Sequence, residues 1–486
     1  MNWLFTVLLL GVLPDDSTES RWTSFLGPMN HSTSMAKLPL TWNDKESLAW
    51  QTPLAGYGQS SPVVWGDQVY VTMVQGKQKE KQLVVAFSWG KGTQLWNHEQ
   101  PTVNTGENSD YFSRAAPTPV VDQSGVIAWF EGGDVVALDH QGSVRWKKDL
   151  VQEYGPIQAR HGLSSSLAQS TDSVFVWVQR DNGPYLLALS KEDGSVKWRV
   201  DRPAGTAWSS PVMIPMENGG MHLVLSTSGP SGGGGAPGGP RGAGGPSAGA
   251  GGPASEAGTN GSEAKKPEGA ESPRPPMGPP KPGQLAGLDP SSGETLWELS
   301  GLFGNSSSTP VVAAPGQVLV GASAGREGGP SKEAISTNGL VAIKQDSSGK
   351  WKAEYLWHAT KATCGFCSPA MHNGMAYFVD RRGMVHCLDA NTGEEAYMER
   401  LGHPVWATPI GAGDRVYFVG EEGVTTVVKA GAKFETLASN ALWQASDSAI
   451  DEKDPRSMLG RTRQYAVVPM PNGLLIRRGD VLYAIK

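Results

Sequence analysis

The sequence predicts an all-β protein, an eight-bladed β-propeller of four-stranded antiparallel blades whose last blade is closed by an N-terminal strand. Three observations carry this reading. A hairpin-like segment ending in an aromatic residue recurs along the chain, as in VVALDHQGSVRW, Val135–Trp146. The terminal aromatics are Trp50, Trp96, Trp146, Trp198, Trp297, Trp357, Tyr397 and Trp443, most of them spaced by about 40–60 residues, the range of a four-stranded blade. The chain then ends one strand short of a full unit, while a spare Trp-bearing strand lies near its beginning.

Taken in order, residues 1–16 contain the apolar run MNWLFTVLLLGVL, stopped by Pro14, Asp15 and Asp16. At least about 20 apolar residues are needed to span a bilayer, so the run reads as the apolar core of a secretory signal. The mature chain is expected to have no transmembrane segment and to be exported, either periplasmic, in the cell envelope or secreted. Residues 17–46 are polar and turn-rich and read as an extended lead-in resting on the surface through Trp22, Phe25 and Trp42.

From residue 47 to 486 the chain reads as one propeller. Each unit opens on small polar residues followed by proline and an apolar strand: SSPVV from Ser60, PTPVV from Pro117, SSPVM from Ser209, STPVV from Ser308, CSPAM from Cys367 and ATPIG from Ala407. Proline is tolerated at a strand start or on a sheet edge, which makes this the strand facing the channel. An alternating strand such as VYVTM follows, and the aromatic-ended hairpin supplies the third and fourth strands. Between the second and third strands of one unit stands a Gly/Pro/Ala/Ser-rich insertion at 229–283, too poor in apolar residues to offset the entropy of ordering. Its roughly 55 residues would range about 40 Å as a flexible chain. It should leave from the same face as the blade-to-blade loops, where it reads either as a tether or entropic gate or as neutral expansion. At the C-terminus, RTRQYAVVPMPNGLLIRRGDVLYAIK provides three strands, so Leu48–Leu54 should pair with Val481–Ile485 and close the ring.

Composition narrows the function. The 486 residues are 38% hydrophobic and 18% charged with net charge −6, and no Lys/Arg cluster stands out in the sequence. A nucleic-acid footprint and a polybasic membrane patch are therefore not expected.

The hairpin pattern A-L-D-x-x-x-G-x-x-x-W, present in ALDHQGSVRW and nearly so in GLDPSSGETLW, resembles the tryptophan motif of pyrroloquinoline-quinone (PQQ) repeat propellers. The lead-in RWTSFLGP and the stretch WATPIGAGDRVYFVGEEG are similar to exported members of the outer-membrane-assembly (BamB-like) type. This resemblance covers nearly everything from Trp50 to Lys486. It implies an eight-bladed ring closed by the N-terminal strand. It does not by itself imply an enzyme, because the family includes quinoprotein alcohol dehydrogenases as well as propellers that bind no quinone and act as protein-binding platforms.

The quinoprotein dehydrogenases carry adjacent cysteines beside the cofactor and Glu, Asn and Asp around calcium. This chain has three cysteines, Cys364, Cys367 and Cys387, and no adjacent pair. No cofactor is expected, with PQQ and calcium kept as the alternative. Cys364-Gly-Phe-Cys367 reads as a local disulfide, with two quiet thiols or a redox pair as the other readings. Cys387 fills the slot that Ala86, Ala137, Ala188 and Ala484 fill elsewhere, and so reads as a small core residue. A zinc site joining these cysteines to His372 or His386 lacks a second ligand pair at finger-like spacing, and no metal is expected. Asp139, Asp289 and Asp389 recur at equivalent turn positions, which points to turn chemistry.

The residues before each proline-led strand differ from blade to blade: Tyr57, Arg114, Arg160 with His161, Trp208, Asn305, Phe366, Trp406 and Arg463. Loops on a rigid scaffold carry function, and arginine and aromatics are enriched at binding hot spots. The other reading is that these side chains plug the channel. No catalytic residue is expected. The leading expectation is an exported, monomeric, non-enzymatic scaffold binding a protein or peptide on this face. The alternatives are a PQQ-dependent dehydrogenase and a carbohydrate or small-molecule binder at the channel mouth.

Overall fold

A run of β-branched and aliphatic residues buried on both faces needs a neighbour on each side, and the chain supplies it by stacking sheets around an axis. In the computed structural model, eight four-stranded antiparallel sheets form the blades of a ring. The structure describes residues 21–34, 36–102, 104, 114–159, 162–180, 183–202, 208–227, 282–304, 307–323, 332–421, 423–443 and 465–486. The innermost strands of blades 1 to 8 are Val63–Trp65, Val120–Asp122, Ala168–Gln169, Val212–Pro215, Val311–Ala314, Ala370–His372, Ile410–Ala412 and Tyr465–Met470. Second and third strands are covered on both faces, as in Ser173–Val178, which is buried throughout. Outermost strands such as Val196–Asp201 alternate between exposed and half-buried positions, because their outer edge meets water.

The ring closes as the sequence predicts. Strand β3 (Leu48–Pro53; β1 and β2 precede it in the lead-in) is the outermost strand of blade 8, with Leu48 opposite Ile485, Trp50 opposite Ala484 and Pro53 opposite Val481. Leu54 N–H extends the ladder to Asp480 O at 2.8 Å.

Two sets of sequence-encoded contacts lock neighbouring blades. The recurring tryptophans reach across the seam: the indole N–H of Trp50, Trp96, Trp146, Trp198 and Trp357 donates to the carbonyl of Trp89, His140, Lys191, Pro290 and Ala390 at 2.8–3.0 Å. Each ring lies against the turn glycine of the next blade's hairpin. The pattern breaks at blade 4, where Trp297 Nε1 donates to His222 Nδ1 at 3.1 Å and His222 packs edge-on against Trp351. It breaks again at blade 7. Trp443 lies beyond the outermost strand, Thr436–Ala441, and the tryptophan position opposite Val427 holds Ala438. Trp443 is therefore not the end of a hairpin; it stacks on Tyr483 of blade 8.

The second set explains the small polar residue before each proline. Ser61 N–H donates to Thr118 Oγ1, Thr118 to Ser166, Ser166 to Ser210, Ser210 to Thr309, Thr309 to Ser368 and Ser368 to Thr408, all at 2.9–3.2 Å. Each hydroxyl satisfies a backbone N–H of the preceding blade, forming a belt across six consecutive seams.

The lead-in departs from expectation. It does not rest on the outer surface but runs around the inside of the channel. Strand β1 (Arg21–Trp22) adds to the innermost strand of blade 1, and β2 (Thr33–Ser34) pairs in parallel with that of blade 7. Between them Thr23 O accepts from Val121 N and Gln169 Nε2, Asn30 Nδ2 donates to Met213 O, and Val312 N donates to Asn30 O. Trp42 then passes between blades 7 and 8, its backbone N–H donating to Asn440 Oδ1 and its ring stacking on Tyr417. Trp22, Leu26 and Trp42 are buried. The physical reason is that proline-led inner strands leave free edges toward the axis, and an extended segment can pair with them.

Candidate functional site

The ends of the inner strands that meet the lead-in lie at the turns between first and second strands. Their other ends carry the hydroxyl belt and the blade-to-blade loops, so those loops surround the opposite mouth. In a meander the loops between second and third strands share that face. The insertion accordingly leaves blade 4 between Met221–Thr227 and Gly283–Leu288. Residues 228–281, and with them the tether or gate reading, lie outside the described residues. At the root of the insertion a small cleft is lined by Thr227, Phe303, Gly321 and Thr337.

Of the loop residues singled out in the sequence, Arg160, His161, Asn305 and Arg463 lie outside the described residues. Tyr57 is 40% exposed and lies against Gly479 of blade 8. Trp208 is half-buried, its carbonyl accepting from Ser164 Oγ. Phe366 and Trp406, from adjacent loops, meet with ring centroids 4.3 Å apart and both stay half-buried. Arg114 instead turns inward: it is 5% exposed, has a left-handed backbone (φ 65) and donates through Nη1 to Asn104 O at 2.8 Å. Burial lowers its pKa, which the Glu131 charge partly offsets; burial likewise raises that of Glu131, which Arg114 opposes. The structure thus joins Phe366 to Trp406 and spreads the other described residues around the rim.

Sequence reasoning missed Arg477. It is fully buried at the closing seam, with Nη1 donating to Ser60 O and Oγ, Nη2 to Thr72 O and Nε to Gly479 O. Burial lowers its pKa to about 9. Arginine in the middle of an apolar strand, LLIRRGD, was the available signal.

The cysteines are free and buried. The disulfide reading of Cys364 and Cys367 is corrected: Cys364 belongs to the core shared by blades 4, 5 and 6, whereas Cys367 packs with the core of blades 6 and 7 and donates to Val379 O. Burial raises the Cys364 thiol and pushes those of Cys367 and Cys387 up to about 12. Cys387 faces Tyr397 as Ala188 faces Trp198, in the expected core slot. His386 Nδ1 pairs with Glu395 at 2.8 Å, and His372 Nε2 with Gly413 O. Among the described residues no three His, Cys, Asp or Glu side chains group so as to hold a metal ion. Asp139, Asp289 and Asp389 cap their own turns: Oδ1 of each accepts from backbone N–H groups two to four residues on. Calcium with PQQ would need clustered carboxylates and a Cys pair, so the described residues do not fit that group. No described helix is long and apolar enough to cross a membrane.

Comparison with known proteins agrees with the architecture. A BamB from Moraxella catarrhalis superimposes with TM-score 0.52 at 10% identity, covering 90% of this chain and 98% of its own. A quinohemoprotein alcohol dehydrogenase from Comamonas testosteroni superimposes with TM-score 0.56 at 12% identity, covering 96% of this chain and 80% of its own. At such identities the likeness shows the fold alone. No curated protein matches the sequence. The family described as outer membrane protein assembly factor BamB matches residues 40–176 and 337–473, more than half of the chain. The chain belongs to that family and is a PQQ-like repeat β-propeller of the BamB-like type.

Proposed function

We propose that this protein is an exported, non-enzymatic scaffold that binds a protein or peptide on the face formed by the inter-blade loops, and that it acts as a monomer. The observation that carries the reading is the contrast between the two parts of the repeat. Inside the ring, most equivalent positions hold equivalent residues in equivalent bonds: five indoles reach the next blade's hairpin turn and a hydroxyl belt crosses six seams. On the loop face the equivalent positions hold Tyr57, Trp208, Phe366 and Trp406, large aromatics that packing leaves half-buried or exposed. Incompletely buried aromatics on rigid loops are the usual anchors of a binding surface. The lead-in occupies the inner strand edges at the opposite end, which favours the loop mouth as the side open to a partner.

Family membership supports the scaffold role, as does the absence of an adjacent cysteine pair from the sequence. The apolar N-terminal run supports export. A carbohydrate or small-molecule site draws on the same aromatics and is the second reading. Photo-crosslinking in intact cells separates the two, with a photoreactive residue at position 57, 208 or 406 and, as controls, at Ser195, Ser348 and Thr392 on the far turns. Protein adducts from the loop positions alone are expected. Adducts from the far turns alone, or from neither face, would contradict the reading.

A further inference from the structure

Folding brings Arg400 beside the sequence-adjacent pair Arg381 and Arg382 on the loop face of blade 6. The turn Asp380–Gly383 joins its second and third strands, and Arg381 and Arg382 are both exposed there. The outermost strand ends beside it: Arg400, also exposed, is opposite Met384, and Leu401 N–H donates to Gly383 O at 2.9 Å. None of the three arginines has an ion-pair partner among the described residues. Asp380, at the start of the turn, uses its Oδ1 to accept from the backbone N–H groups of Arg382 and Met384 at 2.8 and 2.9 Å.

The same turn touches the aromatic pair. Gly365 N–H donates to Val379 O at 2.8 Å, and its Cα packs so closely on the Arg381 backbone that a Cβ there would sit 2.6 Å from Arg381 N. Phe366 is the next residue, packed at a tilt against Trp406. An apolar anchor and three exposed arginines with no ion-pair partner among the described residues therefore share this part of the loop face.

We propose that this surface, formed by Phe366, Trp406, Arg381, Arg382 and Arg400, docks an acidic peptide segment bearing an aromatic or aliphatic side chain. The proposal rests on the protein-binding reading above and names the partner's chemistry. Carboxylates complement the guanidinium forks, and a single apolar side chain complements the tilted Phe366–Trp406 pair. A long polyanion such as nucleic acid fits less well, because the chain as a whole carries −6 and repels it beyond this patch.

The test uses the full-length protein and a fluorescein-labelled peptide, DEDFEDE, read by anisotropy at low and high salt. The comparison probes are the Phe→Ala peptide, the charge-reversed KRKFKRK, a single-stranded 12-mer DNA and phosphatidylglycerol vesicles. Saturable binding of DEDFEDE is expected, with at least a tenfold weaker Kd in R381E/R382E and in Trp406→Ala, and weakening with salt. Lys350→Glu/Lys433→Glu, which makes the same charge change on the far turns, should leave Kd within twofold. Equal binding by KRKFKRK, tighter binding by the DNA or vesicles, or an unchanged Kd in R381E/R382E would overturn the proposal. Circular dichroism of each variant separates loss of the surface from loss of the fold. If DEDFEDE fails while loop-face crosslinks persist, this inference falls and the scaffold reading stands. If the crosslinks also vanish, both fall.

Discussion

The hydroxyl belt gives the clearest residue-scale consequence. Thr309 Oγ1 is the acceptor for the buried Ser210 N–H across the seam between blades 4 and 5. Thr309→Val keeps the shape and strips that acceptor, so it should cost about 1–3 kcal/mol, the penalty for an unpaired buried N–H. Thr309→Ser should be nearly neutral; equal melting of the two variants would show that the belt contributes nothing. Histidines set a second expectation. Burial holds His31, His98, His222 and His372 below the ordinary imidazole value of 6.5, and the neighbouring His372 lowers His31 further. The unfolded chain takes up these protons near pH 6.5 and the folded chain only at lower pH, so the unfolded state binds more protons in that window. Stability should be full above pH 6.5 and decline as pH falls below it, and His372→Asn should flatten the decline. Melting temperatures across pH 5–7.5 check the sign. Neither the belt nor the buried Arg477 was legible beyond its residue type. The Ser/Thr-Pro pattern announced a strand start, but the acceptor role depends on a neighbour about 40–100 residues away.

At the scale of the element, the aromatic-ended hairpin was legible because its turn is local: apolar strand, Asp-capped turn, glycine, aromatic. What it docks on was less so. Gly293 has φ +75, and a Cβ there would lie 2.7 Å from the Trp198 ring, whereas Gly349 has φ +82 with nothing within 4 Å. Ala at either position adds backbone strain, more than about 1 kcal/mol. Gly293→Ala should exceed Gly349→Ala in unfolding free energy lost, because only it displaces an indole. Equal losses would mean the docking contact is not felt. Blade 5 explains the difference. Its hairpin runs one residue longer from Ala342 to Gly349 than blade 4's does from Gly287 to Gly293; Gly349 lies off the seam and Trp297 bonds His222 instead. Counting aromatics placed Trp443 in the same class as the others. The blade 7 hairpin lacks an aromatic at the bonded position, and periodicity cannot separate a strand-borne tryptophan from one five residues beyond Ala438.

At the scale of the molecule, eight blades and their closure followed from the incomplete last unit, since a missing strand and a spare one are both visible in a linear sequence. The path of the lead-in was not, because its polar, turn-rich composition suits a surface segment equally well. Which loop residues meet was also hidden: Phe366 and Trp406 are neighbours only once blades 6 and 7 are formed. The two roles of the N-terminal region predict different truncations. Removal through residue 42 leaves β3 in blade 8 and should lower the melting temperature while keeping the ring, seen as retained β-sheet circular dichroism. Removal through Leu54 also takes the outermost strand of blade 8 and should abolish cooperative melting; identical melting of the two would refute closure by β3.

The central claim is that the N-terminal segment is built into the channel, so that the protein offers its loop face to a partner. Amide hydrogen exchange on the intact protein, followed peptide by peptide, tests this most directly. The account predicts that peptides spanning 21–34 exchange slowly, on the timescale of Leu48–Pro53 in blade 8, because the N–H groups of Gly27, Asn30 and Ser32 donate within the buried segment and its two short strands pair with the inner strands of blades 1 and 7. Exchange of 21–34 at the rate of an unprotected chain, with Leu48–Pro53 still protected, would contradict it and return the lead-in to the surface.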